Sequence, residues 1–82
     1  MIALTLYGRE YCSLCQDMLA QLQSLLKGRD IQLNWVDIDD DDALEDQYGT
    51  MIPVLLGDDG EMLCFYHLNV SKLEKWIAGR QA

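Results

Sequence analysis

The chain has 82 residues, half of them apolar, and its 14 acidic side chains against 6 basic ones give a net charge of −8. That balance makes nucleic acid and anionic membrane surfaces poor partners, because both call for a basic footprint. No apolar run approaches the roughly 20 residues of a membrane span, and Met1 leads straight into an apolar stretch without a basic region or cleavage site, so one soluble domain over residues 1–82 in a reducing, cytoplasmic setting is expected.

Ile2 to Tyr7 reads as a first strand, apolar enough for burial on both faces. Gly8-Arg9-Glu10 is a short turn. A helix is predicted from about Cys12 to Leu26. Its core stripe is Leu14, Met18, Leu22 and Leu25 at three- and four-residue steps, widened by Leu19 and Leu26, and Gly28 stops it just after Lys27. Ile31 to Ile38 is a second strand with Asp37 and Asp39 at its exit. Asp40 is the expected N-cap of a short second helix that buries Leu44 and Tyr48 and ends at Gly49.

The only proline, Pro53, opens a third strand that runs to Leu56. Gly57-Asp58-Asp59-Gly60 is a hairpin turn into a fourth strand, Glu61 to Tyr66. The last helix is capped by Asn69 or by Ser71, which has capping-box spacing to Glu74. It turns Val70, Leu73, Trp76 and Ile77 to the core. The order is strand, helix, strand, helix, strand, strand, helix. A helix joins the first two strands, which makes them parallel, and the last two form an antiparallel hairpin.

The chemistry centres on Tyr11-Cys12-Ser13-Leu14-Cys15, a Cys-x-x-Cys placed where a strand hands over to a helix. That spacing brings both sulfurs to one helical turn. The free N–H groups and positive dipole end of the helix then face the first sulfur and favour the nucleophilic thiolate. Cys12 is therefore the expected attacking thiol and Cys15 the resolving one. Arg9 adds to that field, while Glu10 and Asp17 oppose it.

A competing reading is metal binding. Cys12, Cys15, Cys64 and His67 form Cys-x2-Cys…Cys-x2-His, an acceptable ligand count for structural zinc. Against this, the two pairs sit on a helix start and at a strand end. Cys64 alternates within the fourth strand and reads as a small buried hydrophobe, and His67 reads as a loop residue. The run Asp39 to Asp42 lacks the central glycine and distal glutamate of a calcium loop. It reads as acidic capping of a helix.

Cys-x-x-Cys at the start of the first helix and Ile52-Pro53-Val54-Leu55 about 40 residues later resemble the glutaredoxin branch of the thioredoxin-fold superfamily, together with Val36-Asp37-Ile38-Asp39 and Tyr48-Gly49-Thr50. The resemblance spans nearly the whole chain. It implies an α/β thioredoxin-like βαβαββα fold, with a four-stranded mixed sheet and helices on both faces. It implies a thiol–disulfide oxidoreductase with no bound cofactor, acting as a monomer on disulfides of proteins or small molecules. It also implies that Pro53 is cis and lies beside the cysteines, with the Ile52 backbone pairing with the incoming disulfide. Tyr11 and Met51 would flank the dithiol as an apolar rim, and Arg9 would meet a glutathione carboxylate. Glutathione and a reductase are rival electron donors. The Gly-Gly pair and Asp of glutathione-binding glutaredoxins are replaced here by Phe65-Tyr66-His67-Leu68-Asn69-Val70. A redox-inactive or metal-holding interaction module, with zinc or an iron–sulfur cluster, is the alternative on the same fold.

Overall fold

The computed structural model describes residues 2–81. It contains β1 (Ile2–Gly8), α1 (Ser13–Leu26), β2 (Ile31–Asp37), α2 (Asp42–Tyr48), β3 (Val54–Gly57), β4 (Met62–Phe65) and α3 (Val70–Gln81). A single 3-10 turn, Ile38–Asp40, links β2 to α2. The sheet order is β2-β1-β3-β4. β1 and β2 run parallel, in register from Ile2 with Ile31 to Gly8 with Asp37. β3 lies antiparallel to β1, and β4 antiparallel to β3 with an irregularity between Leu55 and Leu56. This is the predicted α/β thioredoxin-like architecture.

The strict alternation of β1 sorts its side chains into two layers. Ile2, Leu4 and Leu6 face Met18, Leu22 and Leu26 of α1 and Leu73 and Ile77 of α3, with Leu55, Leu63 and Cys64 completing that core. Tyr7 points the other way and stacks on Tyr48 of α2, ring centroids 4.9 Å apart. There it joins a smaller cluster built on Ile38, Ile52 and Val54. Only a short helix covers this second face, so Ala3 and Thr5 stay half-buried rather than fully enclosed.

Three local expectations need correction. The buried stripe of α1 is Cys15, Met18, Leu22 and Leu26. Leu14 lies about a quarter turn off the centre of that arc and is 39% exposed, while Leu19 and Leu25 sit on the flanks. The cap of α2 is Asp41 rather than Asp40, because Ile38–Asp40 already winds as a 3-10 turn. Asp41 Oδ1 accepts from the N–H groups of Ala43 at 2.9 Å and Leu44 at 3.2 Å. Asn69 caps α3, accepting from the Lys72 N–H at 3.0 Å, which puts Val70 at the first helical position, exposed instead of in the core.

Gly79 lies inside α3 with nothing near the place its Cβ would occupy. Replacing it with alanine is expected to raise stability by about 0.5–1 kcal/mol, since only unfolded-chain entropy is removed. Urea unfolding checks this, and a fall in stability would show that the position is not open.

Candidate active site

β1 ends at Gly8, and a four-residue turn carries the chain into α1. Cys12 occupies the N-cap, with extended backbone at φ −101° and ψ 113°. Its carbonyl accepts the first helical bond, from the Gln16 N–H at 3.0 Å. Its sulfur takes the place of the usual capping oxygen: Cys12 Sγ accepts from the Cys15 N–H at 3.2 Å. A backbone donor aimed at that sulfur stabilises negative charge there. The turn is braced by the Cys12 N–H donating to the Arg9 carbonyl at 3.3 Å and by the Gln16 side-chain amide donating to the Glu10 carbonyl at 3.2 Å.

The two thiols differ in setting. Cys12 is half-buried and Cys15 is fully buried, and both are free. Burial pushes the Cys15 thiol up to about 12, helped by its hydrogen bond to Cys12. The inner thiol is thus neutral at ordinary pH. Close packing enforces the arrangement. A Cβ on Gly8 would lie 2.9 Å from the Cβ and Sγ of Cys15 and from the outer edge of the Trp35 ring. Gly8 went unremarked in the sequence beyond its turn, although a glycine ending a strand beside a functional loop marks close backbone approach.

The Ile52–Pro53 bond is cis, as the resemblance implies. Cys12, Cys15, Met51 and Ile52 belong to one apolar cluster with Tyr7, Tyr48 and Val54. This cluster brings the Pro53 loop and the dithiol together. Met51 is half-buried there, whereas Tyr11 is 95% exposed and stands clear of the packed surface.

Arg9 is engaged elsewhere. Its Nε donates to Asp39 Oδ1 at 2.6 Å and its Nη2 to Glu45 Oε1 at 3.0 Å. The hydrogen bond to Asp39 comes first among the causes that raise the Arg9 pKa. The guanidinium ties the turn before Cys12 to the 3-10 turn and α2. Asp37 caps that 3-10 turn, accepting from the Asp39 N–H at 2.9 Å, so the acidic run serves helix ends and Arg9.

The four residues of the zinc pattern divide between regions. Cys12 and Cys15 belong to the cluster around Ile52, Cys64 to the core under α1 and α3, and His67 is exposed. Among the described residues no three His, Cys, Asp or Glu side chains gather into a metal-binding group. Burial raises the Cys64 pKa, as suits a core thiol. Among the described residues, no helix is long and apolar enough to cross a membrane.

Residues 3–78 match the model of the glutaredoxin-like domain (DUF836). A Nitrosomonas europaea protein solved by NMR in solution is 33% identical, with 92% of this chain and 89% of that one covered and a TM-score of 0.80. An X-ray structure from X. campestris is 36% identical over 93% of this chain and 96% of its own, with a TM-score of 0.74. Thioredoxin 1 of Thermosipho africanus shares the fold at 17% identity, covering 98% of this chain and 99% of that one, with a TM-score of 0.66. No curated protein matches the chain significantly. The matched span takes in β1, the cysteine pair, the Pro53 loop and nearly all of α3, and on it the chain belongs to the glutaredoxin-like domain family, built on the thioredoxin fold.

Proposed function

We propose that the protein is a thiol–disulfide oxidoreductase that reduces disulfides with the Cys12–Cys15 pair. The observation that carries this reading is the N-cap position of Cys12, its sulfur accepting the Cys15 N–H at 3.2 Å. The Cys12 thiolate attacks one sulfur of a substrate disulfide. That S–S bond breaks, a Cys12–substrate disulfide forms, and the other substrate sulfur leaves as a thiolate that takes a proton from water. Cys15 then loses its proton and attacks the Cys12 sulfur. The substrate's second sulfur departs, and a Cys12–Cys15 disulfide remains. Two electrons have passed to the substrate, and an external thiol or a reductase must return them.

The docking side of the reading uses the Pro53 loop. Among the described residues the N–H and C=O of Ile52 have no hydrogen-bond partner, which leaves them for the backbone of a disulfide-bearing polypeptide. Met51 and Tyr11 supply the apolar rim. Arg9 is held by two carboxylates and Tyr66 occupies the region after β4, so protein disulfides suit the surface better than glutathione. The protein works as a cytoplasmic monomer in this proposal.

A redox titration of the purified chain tests it. The expected result is one reversible two-electron couple belonging to Cys12 and Cys15, together with insulin reduction supported by a thioredoxin-type reductase more strongly than by glutathione. Failure of the oxidised pair to form under mild oxidant, or tight stoichiometric zinc in the fresh protein, would overturn the proposal.

A further inference from the structure

Tyr66, just past β4, has φ +63°, in the left-handed region that favours glycine. A tyrosine held there is uncommon and calls for a compensating interaction. Two bonds supply it. The Tyr66 N–H donates to the Pro53 carbonyl at 2.9 Å, and its hydroxyl donates to the Thr50 carbonyl. One residue thereby grips both ends of the segment Thr50–Pro53. The Met51 N–H is meanwhile taken by the Tyr48 carbonyl at 2.8 Å. The peptide groups of Ile52, between these anchors, are left unpaired among the described residues.

Tyr66 also borders α1. It lines a cavity of about 290 Å³ with Leu14, Met18 and His67, and Leu14 lies between the two active cysteines in sequence. The residue thus spans from the Pro53 loop to the first turns of α1.

We infer that Tyr66 is a positioning residue for polypeptide substrates: it holds the Thr50–Pro53 backbone so that the Ile52 peptide groups meet an extended chain flanking the disulfide that Cys12 attacks. This rests on the oxidoreductase reading above. The occupant is an extended peptide, because unpaired main-chain groups recognise main chain. A small disulfide without peptide groups takes no advantage of them.

Tyr66→Phe removes only the hydroxyl and its bond to Thr50. Tyr66→Gly removes the whole side chain, keeps the N–H for Pro53 and suits the backbone angle, so it folds. Reduction of insulin is compared with reduction of a small aromatic disulfide lacking peptide groups. Both variants are expected to raise KM for insulin more than they lower kcat. The ratio of kcat/KM for insulin to that for the small disulfide should fall about three- to ten-fold for Tyr66→Phe, the scale of one lost hydrogen bond. An unaltered ratio, with both substrates slowed alike or neither slowed, would overturn the role of Tyr66. A wild-type chain that reduces neither disulfide would overturn the oxidoreductase reading and this inference with it.

Discussion

Cys12→Ser is expected to reduce insulin turnover to background, and Cys15→Ser to stop it one step later with substrate still attached. The distinction follows from geometry. Cys12 is the half-buried sulfur at the helix N-cap, and Cys15 is enclosed. Only the outer sulfur can meet a substrate disulfide, so its loss removes the nucleophile itself. Without the inner sulfur the first exchange still proceeds, and the mixed disulfide has no internal thiol to release it. Mass spectrometry of the Cys15→Ser protein after exposure to a disulfide peptide should show a one-to-one adduct that dithiothreitol removes. An adduct on Cys15 in the Cys12→Ser protein, with activity retained, would reverse the assignment.

The same contrast predicts a pH dependence. Cys15 is raised to about 12, with burial the largest cause, and burial persists after Cys12 has become part of a mixed disulfide. A raised thiol pKa leaves a small thiolate fraction at neutral pH, and that fraction grows as pH rises. Release from the mixed disulfide should therefore accelerate as pH rises above about 7, following the thiolate fraction. A flat profile would mean that Cys15 is ionised more readily than its burial allows. Fold stability moves the opposite way. The unfolded chain releases this proton first, near the ordinary thiol value of 9.0, so stability falls as pH climbs from there towards about 12.

The elements of the candidate site were more legible in the sequence than the packing was. Cys12 and Cys15 announced themselves by spacing, and Pro53 by its place ahead of an apolar run, because both are local signals. The element order followed from periodicity and turn residues for the same reason. Phase was harder. Counting leucines placed Leu14 on the core stripe of α1, whereas the sheet beneath selects Cys15, and a cysteine carries little weight in a hydrophobic pattern. Val70 misled similarly: an apolar residue following a cap looks like core, but at the first position of α3 it is exposed. The tie from Tyr66 to Thr50 and the pairing of Arg9 with Asp39 and Glu45 join residues 16, 30 and 36 positions apart. Such contacts exist only once the sheet has formed, and no window along the chain contains them.

Gly8→Ala is expected to damage the fold and the redox step together. The added methyl would lie 2.9 Å from Cys15 Cβ, Cys15 Sγ and the Trp35 ring edge, inside normal contact distance on every side. Cys15 sits in the first turns of α1, buried and unable to retreat, while the edge of Trp35 has some freedom to swing because that side chain is only partly enclosed. Overpacking of this kind costs about 1–3 kcal/mol, and each kcal/mol lowers the Tm of a domain this small by about 4–8 °C. Because the displaced atom is the proposed resolving sulfur, release of the mixed disulfide should slow as well. Adding Trp35→Leu makes room on one side only. The double variant should regain part of the lost stability and little of the release rate, since the clash with Cys15 persists. Recovery of both together would locate the strain at Trp35. Loss of stability without slower release would mean that Gly8 serves packing alone, and that the close approach of β1 does not set where the Cys15 sulfur stands relative to Cys12.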